Sequence, residues 1–171
     1  MTEPTMYEFA GGAEAMHRLA DAQYRRCLAD PLLRQVFGTE GSPGHVDHLA
    51  AWLGEVFGGP KVYTNELGGH GALLQHHANA SITEDQRKRF VEVFEEAADE
   101  VGLPTDERFR RRFSEYLNWG SEIAREVSQP GADLTTSDPV PVWGWGNEGG
   151  VGGGSEGGAG GGSEGGAGGG K

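Results

Sequence analysis

The sequence predicts an all-α fold, and three observations carry that prediction. Apolar residues recur at spacings of three and four along the long segments, which is the signature of one helix face. No segment alternates apolar and polar residues as a half-buried strand would. Glycine, proline and N-cap residues fall between the periodic segments, where helices start and stop. The pattern gives four main helices and two short ones.

Residues 13–28 carry Met16, Leu19, Ala20, Tyr24, Cys27 and Leu28 on one face, after the punctuation of Gly11 and Gly12. Asp30-Pro31 reads as an N-cap with proline in the first helical position, opening a short helix with Leu32, Leu33, Val36 and Phe37 that Gly38 ends. Ser42-Pro43 repeats the start signal. The next helix places His45, Leu49, Trp52, Leu53 and Val56 on one side, and Phe57-Gly58-Gly59-Pro60 stops it. Residues 61–69 read as a loop. A short apolar helical turn follows and ends in His76-His77.

Thr83 with Gln86, or Ser81 with Glu84, matches a capping box for a helix carrying Phe90, Val91, Phe94, Ala97, Ala98 and Val101. Pro104-Thr105-Asp106-Glu107 starts the longest helix, with acids in its first turn favouring the dipole. Its stripe runs Phe109, Phe113, Tyr116, Leu117, Gly120, Ile123, Ala124 and Val127.

Residues 131–147 form a Pro/Trp-rich extension. Its prolines make Pro139-Val140-Pro141-Val142-Trp143-Gly144-Trp145-Gly146 extended, and its tryptophans either pack back on the helices or offer a sticky surface. Residues 148–171 hold 15 of the chain's 31 glycines and repeat Gly-Gly-Gly-Ser-Glu-Gly-Gly-Ala from 152 and again from 160. That composition cannot bury enough apolar surface to offset chain entropy, so it reads as a flexible tail. A designed linker is the favoured origin, a natural repeat expansion the other.

The 171 residues carry a formal net charge of −12, which argues against nucleic acid and anionic membrane surfaces as main partners. No signal-peptide pattern and no transmembrane-length apolar run is evident, so a soluble cytoplasmic protein is expected. Cys27 is the one cysteine, and on an apolar face it reads as a buried thiol.

Three of the six histidines fall in the stretch Gly68-Gly69-His70-Gly71-Ala72-Leu73-Leu74-Gln75-His76-His77. From position alone His77 could be an ordinary helix-end residue, and Tyr24 a packed core tyrosine. Three stretches resemble the truncated haemoglobins: Phe57-Gly58-Gly59-Pro60 with Tyr63-Thr64, Gly69-His70 with His76-His77-Ala78 and Ile82, and Tyr116-Leu117 with Trp119-Gly120. The glycine pairs at 11–12, 58–59 and 68–69 add to the likeness. It is closest to group II, actinobacterial members in particular, and covers roughly residues 6–128.

The resemblance implies a domain over residues 1–130, a two-over-two helical sandwich around a haem b. It assigns His77 as the proximal iron ligand, a role suited to neutral imidazole. Leu73 and Leu74, four and three residues earlier, share its helical face and would shield the bond from water. His76, about 100° further round, should point elsewhere, and His70 reads as a loop or cap residue. On the far side of the ring the family pattern falls on Tyr24, Phe37, His45 and Leu49. Tyr24 and His45 would contact the diatomic ligand, and Phe37, Leu49, Trp52 and Phe90 would contact the haem. Group II members usually carry tryptophan where this chain has Phe90, which has no N–H to donate. His48 and His17 read as surface residues. One of Arg110, Arg111 and Arg112, or Lys61, is a candidate partner for a haem propionate.

Three functions follow. The leading one is a haem protein that binds dioxygen and other diatomic ligands such as nitric oxide or carbon monoxide. The second is a haem oxidoreductase on the same pocket, a nitric oxide dioxygenase or a peroxide-using enzyme. It would need a separate reductase, because no flavin or nicotinamide motif is present. The third is a non-haem helical module using its histidines for zinc or its tryptophans for a partner; the histidine set lacks a fourth ligand at zinc-finger spacing.

Overall fold

The computed structural model describes residues 2–146, so the glycine-rich 148–171 segment lies outside the described residues. Eight helices run in order, with no strand among the described residues: α1 (Met6–Ala10), α2 (Gly12–Ala29), α3 (Arg34–Phe37), α4 (His45–Val56), α5 (Val62–Glu66), α6 (Gly69–His77), α7 (Glu84–Glu100) and α8 (Glu107–Val127). The four long helices α2, α4, α7 and α8 pack as two over two, α2 against both α4 and α7, and α7 against α8. Their apolar stripes meet in one core of Met16, Leu19, Leu53, Val56, Phe94, Phe113 and Leu117.

The start signals behave differently from one another. Thr83 and Gln86 form the capping box: the Thr83 hydroxyl accepts from the Gln86 N–H at 3.1 Å and the Gln86 side chain accepts from the Thr83 N–H at 3.0 Å. Asp106 caps α8 by accepting from Phe109 N–H at 2.9 Å. Asp30 accepts from the N–H groups of Leu32 and Leu33, but a turn precedes α3, which is a single helical turn. Ser42 does not cap α4. Its backbone N–H is taken by the Tyr24 hydroxyl, and α4 starts later, behind Gly44 at φ +79°. Residues 61–69, expected as a loop, contain α5. The short α1 was also absent from the expected set; Thr5 caps it by accepting from Glu8 N–H.

Two features hold the histidine helix in place. At its start Gly68 has φ +92°, and a Cβ there would sit 2.8 Å from that of Ala72, so this N-cap requires glycine. After its end the chain turns through Asn79 at φ +60°. Ser81 N–H then donates to the Ser128 carbonyl at 2.9 Å, and Ile82 N–H to the Ser128 hydroxyl at 3.0 Å. The end of α6 is thereby tied to the end of α8.

The extension packs back on the helices. Val140, Trp143 and Trp145 are buried. Trp143 N–H donates to the Val56 carbonyl, and the Trp145 indole donates to the Pro4 carbonyl at 2.7 Å. Arg108 and Arg112 of α8 lie over the Trp145 and Trp143 rings, 5.0 and 4.5 Å from their centroids, which is cation–π geometry. No helix among the described residues is long and apolar enough to cross a membrane.

Candidate functional site

A cavity of about 520 Å³ opens between α2, α3, α4, α6, α7 and α8. His77 lines it from the last residue of α6, and Tyr24, Phe37, His45, Leu49, Trp52, Leu73 and Phe90 line it too. Residues up to 101 positions apart in sequence thus border one space, counting from Gln23 to Ala124.

The His77 Nδ1 lies 2.9 Å from the Leu73 carbonyl oxygen, one turn back. With Nδ1–H donating there, the lone pair of the neutral ring is on Nε2. Burial pushes the His77 pKa down; the Leu73 carbonyl opposes that and His76 adds to it. The ring is therefore neutral near pH 7, the form that binds a metal.

On α2, the buried Tyr24 hydroxyl accepts from Ser42 N–H at 2.9 Å. Its ring stacks on His45, centroids 3.9 Å apart and planes 24° apart. Phe37 meets His45 edge-on at 6.1 Å and lies parallel to Phe90 at 6.2 Å. Burial lowers the His45 pKa, and His48, His76 and His77 lower it further. Trp52, on the α4 side, donates from its indole to the Tyr116 hydroxyl at 2.7 Å and stacks on His70 at 6.2 Å.

Other residues stand differently from expectation. Leu74 is buried but does not line the cavity. Leu73 borders the cavity and Leu74, about 100° further round the helix, is turned into the packing instead. His76, expected to point elsewhere, borders the cavity while remaining exposed, as does His48. His70 belongs to the first turn of α6, with its Nδ1 3.5 Å from the Thr136 hydroxyl. Lys61, Arg110, Arg111 and Arg112 do not line the cavity. Arg110 pairs with Asp99 and Arg112 with Glu115. The arginine at the cavity wall is Arg87, which bonds Glu84 and the Ser121 hydroxyl. Gln23 and Tyr63 also line the space and were not anticipated. Gln23 precedes Tyr24 on a face whose spacing reads only as core.

The bacterial-like globin family model matches residues 5–117. The chain belongs to that family. It is 36% identical over 59 residues to a group 1 truncated haemoglobin of Nostoc, a match spanning 34% of this chain and half (50%) of that relative's length. A longer match, 33% over 95 residues, joins it to a group 2 truncated haemoglobin of Bacillus subtilis and covers 54% of this chain and 68% of that one. The crystal structure of the haemoglobin from Chloroflexus aurantiacus superposes with a TM-score of 0.62 at 33% identity, covering 71% of this chain and 98% of that one. The superposition supports the two-over-two helical fold, and the longer match to the Bacillus subtilis protein places the chain in group II of the truncated globins.

The cofactor of this globin is haem iron, with haem b the usual form. The residues present fit it. A flat apolar macrocycle needs a slot walled by side chains such as Phe37, Leu49, Leu73 and Phe90. Its iron needs one neutral imidazole nitrogen, which the His77 ring, with Nδ1 already engaged, offers at Nε2.

Proposed function

We propose that this globin binds dioxygen and related diatomic ligands at a haem held by His77, with Tyr24 and His45 on the ligand side. The observation that carries the reading is that His77, oriented by Leu73, and the stacked pair Tyr24 and His45 border the same cavity. When bound, the haem would supply an iron centre able to take up a small diatomic ligand.

The chain's own residues do the rest. His77 gives its Nε2 lone pair and keeps its orientation through the carbonyl of Leu73. Leu73, Phe37 and Phe90 exclude water from the slot. Tyr24 uses its oxygen as an acceptor from Ser42, which leaves its O–H hydrogen to be donated. A donor beside a ligand carrying partial negative charge slows that ligand's escape. His45, stacked against Tyr24, fixes that ring and adds an imidazole at the same wall.

The visible spectrum of the purified protein tests this. A Soret band at the usual globin position is expected, lost or shifted in His77→Ala. Protein that stays colourless after reconstitution with haem would sink the reading. Phe90→Trp adds an N–H to the cavity wall and should slow ligand release.

A further inference from the structure

Gln23 is 1% exposed, sits on α2 beside Tyr24 and lines the same cavity. Its Nε2 donates to the Cys27 sulfur at 3.0 Å, and its Oε1 meets no hydrogen-bond partner. That pairing is poorly matched. A thiol sulfur is a weak acceptor, and a buried carbonyl oxygen left without a donor is costly. Burial pushes the Cys27 thiol pKa up to about 12, so the group keeps its proton and is itself a donor. The surroundings offer no alternative, since Cys27 packs with Leu33, Val93, Phe37 and Phe90, all apolar. A half-turn of the carboxamide exchanges its oxygen and nitrogen and removes the mismatch. The Cys27 S–H then donates to Oε1, and both Nε2 hydrogens become available.

We propose that Gln23 is a second hydrogen-bond donor of the ligand pocket: Cys27 S–H holds its Oε1, and its Nε2 faces the cavity to meet a diatomic ligand carrying partial negative charge. Gln23 is the ligand-contacting residue and Cys27 a positioning residue. The proposal rests on the haem-pocket reading above and adds a donor independent of Tyr24.

The experiment uses the full-length, haem-loaded protein and two infrared bands. Cys27 is the chain's one cysteine, so its S–H stretch is unambiguous. That band should be lowered in the wild type and move up to the position of a non-donating thiol in Gln23→Met. An S–H band unmoved by Gln23→Met overturns the proposal. With carbon monoxide bound, the C–O stretch should rise in Gln23→Met as a donor is lost, and ligand dissociation should quicken roughly three- to tenfold. Cys27→Ala should split or broaden the C–O band by releasing the carboxamide, and it reads the same contact if Gln23→Met does not fold. A C–O band that moves in Tyr24→Phe but in neither Gln23→Met nor Cys27→Ala refutes the role of Gln23 and leaves the haem pocket intact. A Soret band neither lost nor shifted in His77→Ala would instead refute the haem assignment to His77.

Discussion

The indole N–H of Trp52 donates to the hydroxyl of Tyr116 at 2.7 Å, joining α4 to α8 beneath the cavity. Both side chains are 6% exposed. Burial pushes the Tyr116 phenol pKa up, with the Trp52 bond opposing it, so the hydroxyl stays protonated. Trp52 lines the cavity and Tyr116 does not, so the bond sets the angle of one cavity wall from the layer behind it. Tyr116→Phe should leave a buried indole N–H without an acceptor and cost about 2 kcal/mol. Urea unfolding should show a lowered midpoint with an unchanged slope, and Trp52→Phe combined with Tyr116→Phe should cost less than the two changes summed.

Tyr24→Phe keeps the ring that stacks on His45 and removes only the hydroxyl. The Ser42 N–H lies in an exposed segment and finds water instead, so stability should change by less than about 1 kcal/mol. Oxygen dissociation, followed by stopped flow, should quicken about tenfold, equivalent to roughly 1.4 kcal/mol of lost ligand stabilisation. Unchanged release would show that Tyr24 does not hold the ligand.

Trp143 is buried among Tyr116, Trp119 and Arg112, and its own backbone N–H is bonded to Val56. Trp143→Ala should cost about 3 kcal/mol or more, the usual scale for emptying a packed aromatic site. Thermal unfolding checks it. A variant as stable as the wild type would mean that the extension contributes little to the fold.

Asp30 pairs with Arg89 at 2.7 Å and has a side chain only 11% exposed. Burial raises the carboxyl, but the Arg89 side-chain bond and the N–H groups of Leu33 and Leu32 outweigh it, leaving the pKa below its ordinary value. A carboxyl depressed in the folded state stabilises fully above its unfolded pKa, about 3.9, and loses that contribution as pH falls through the folded value. Asp30→Asn should therefore be about 1 kcal/mol less stable than the wild type at pH 7, with a constant gap down to about pH 5 and a closing gap below about pH 4. Denaturant melts across that range measure it. A gap independent of pH down to the lowest values would show that the ion pair contributes nothing.

Much of the fold was legible because its signals are local. The stripe from Phe109 to Val127 repeats every three or four residues, and the Thr83 and Gln86 capping box lies within one helical turn; each appears as expected, and α8 starts at the expected Asp106-Glu107, where Asp106 serves as its cap. The short α1 and α5 were missed because five residues are too few to display a helical period. The Thr5 to Glu8 spacing was the one signal that could have found α1. Ser42 misled because a long-range partner holds its backbone: its N–H donates to the Tyr24 hydroxyl, 18 residues away, and Gly44 takes the N-cap position of α4.

The sequence by itself determined the helix-forming stripes and their caps. The family resemblance it carries, rather than its periodicity, assigned His77, Tyr24, Phe37, His45, Leu49, Trp52, Leu73 and Phe90, which border one cavity. Only the tertiary structure decided which neighbour in each pair faces that cavity, separating Leu73 from Leu74 and bringing Gln23, Arg87 and His76 to its walls. The physical reason is that helical spacing gives angles between residues on one axis but not the rotation of that axis toward its neighbours. That rotation is set by contacts such as Trp52 with Tyr116, 64 residues apart, and Trp145 with Pro4, 141 apart, which leave no periodic mark on the chain.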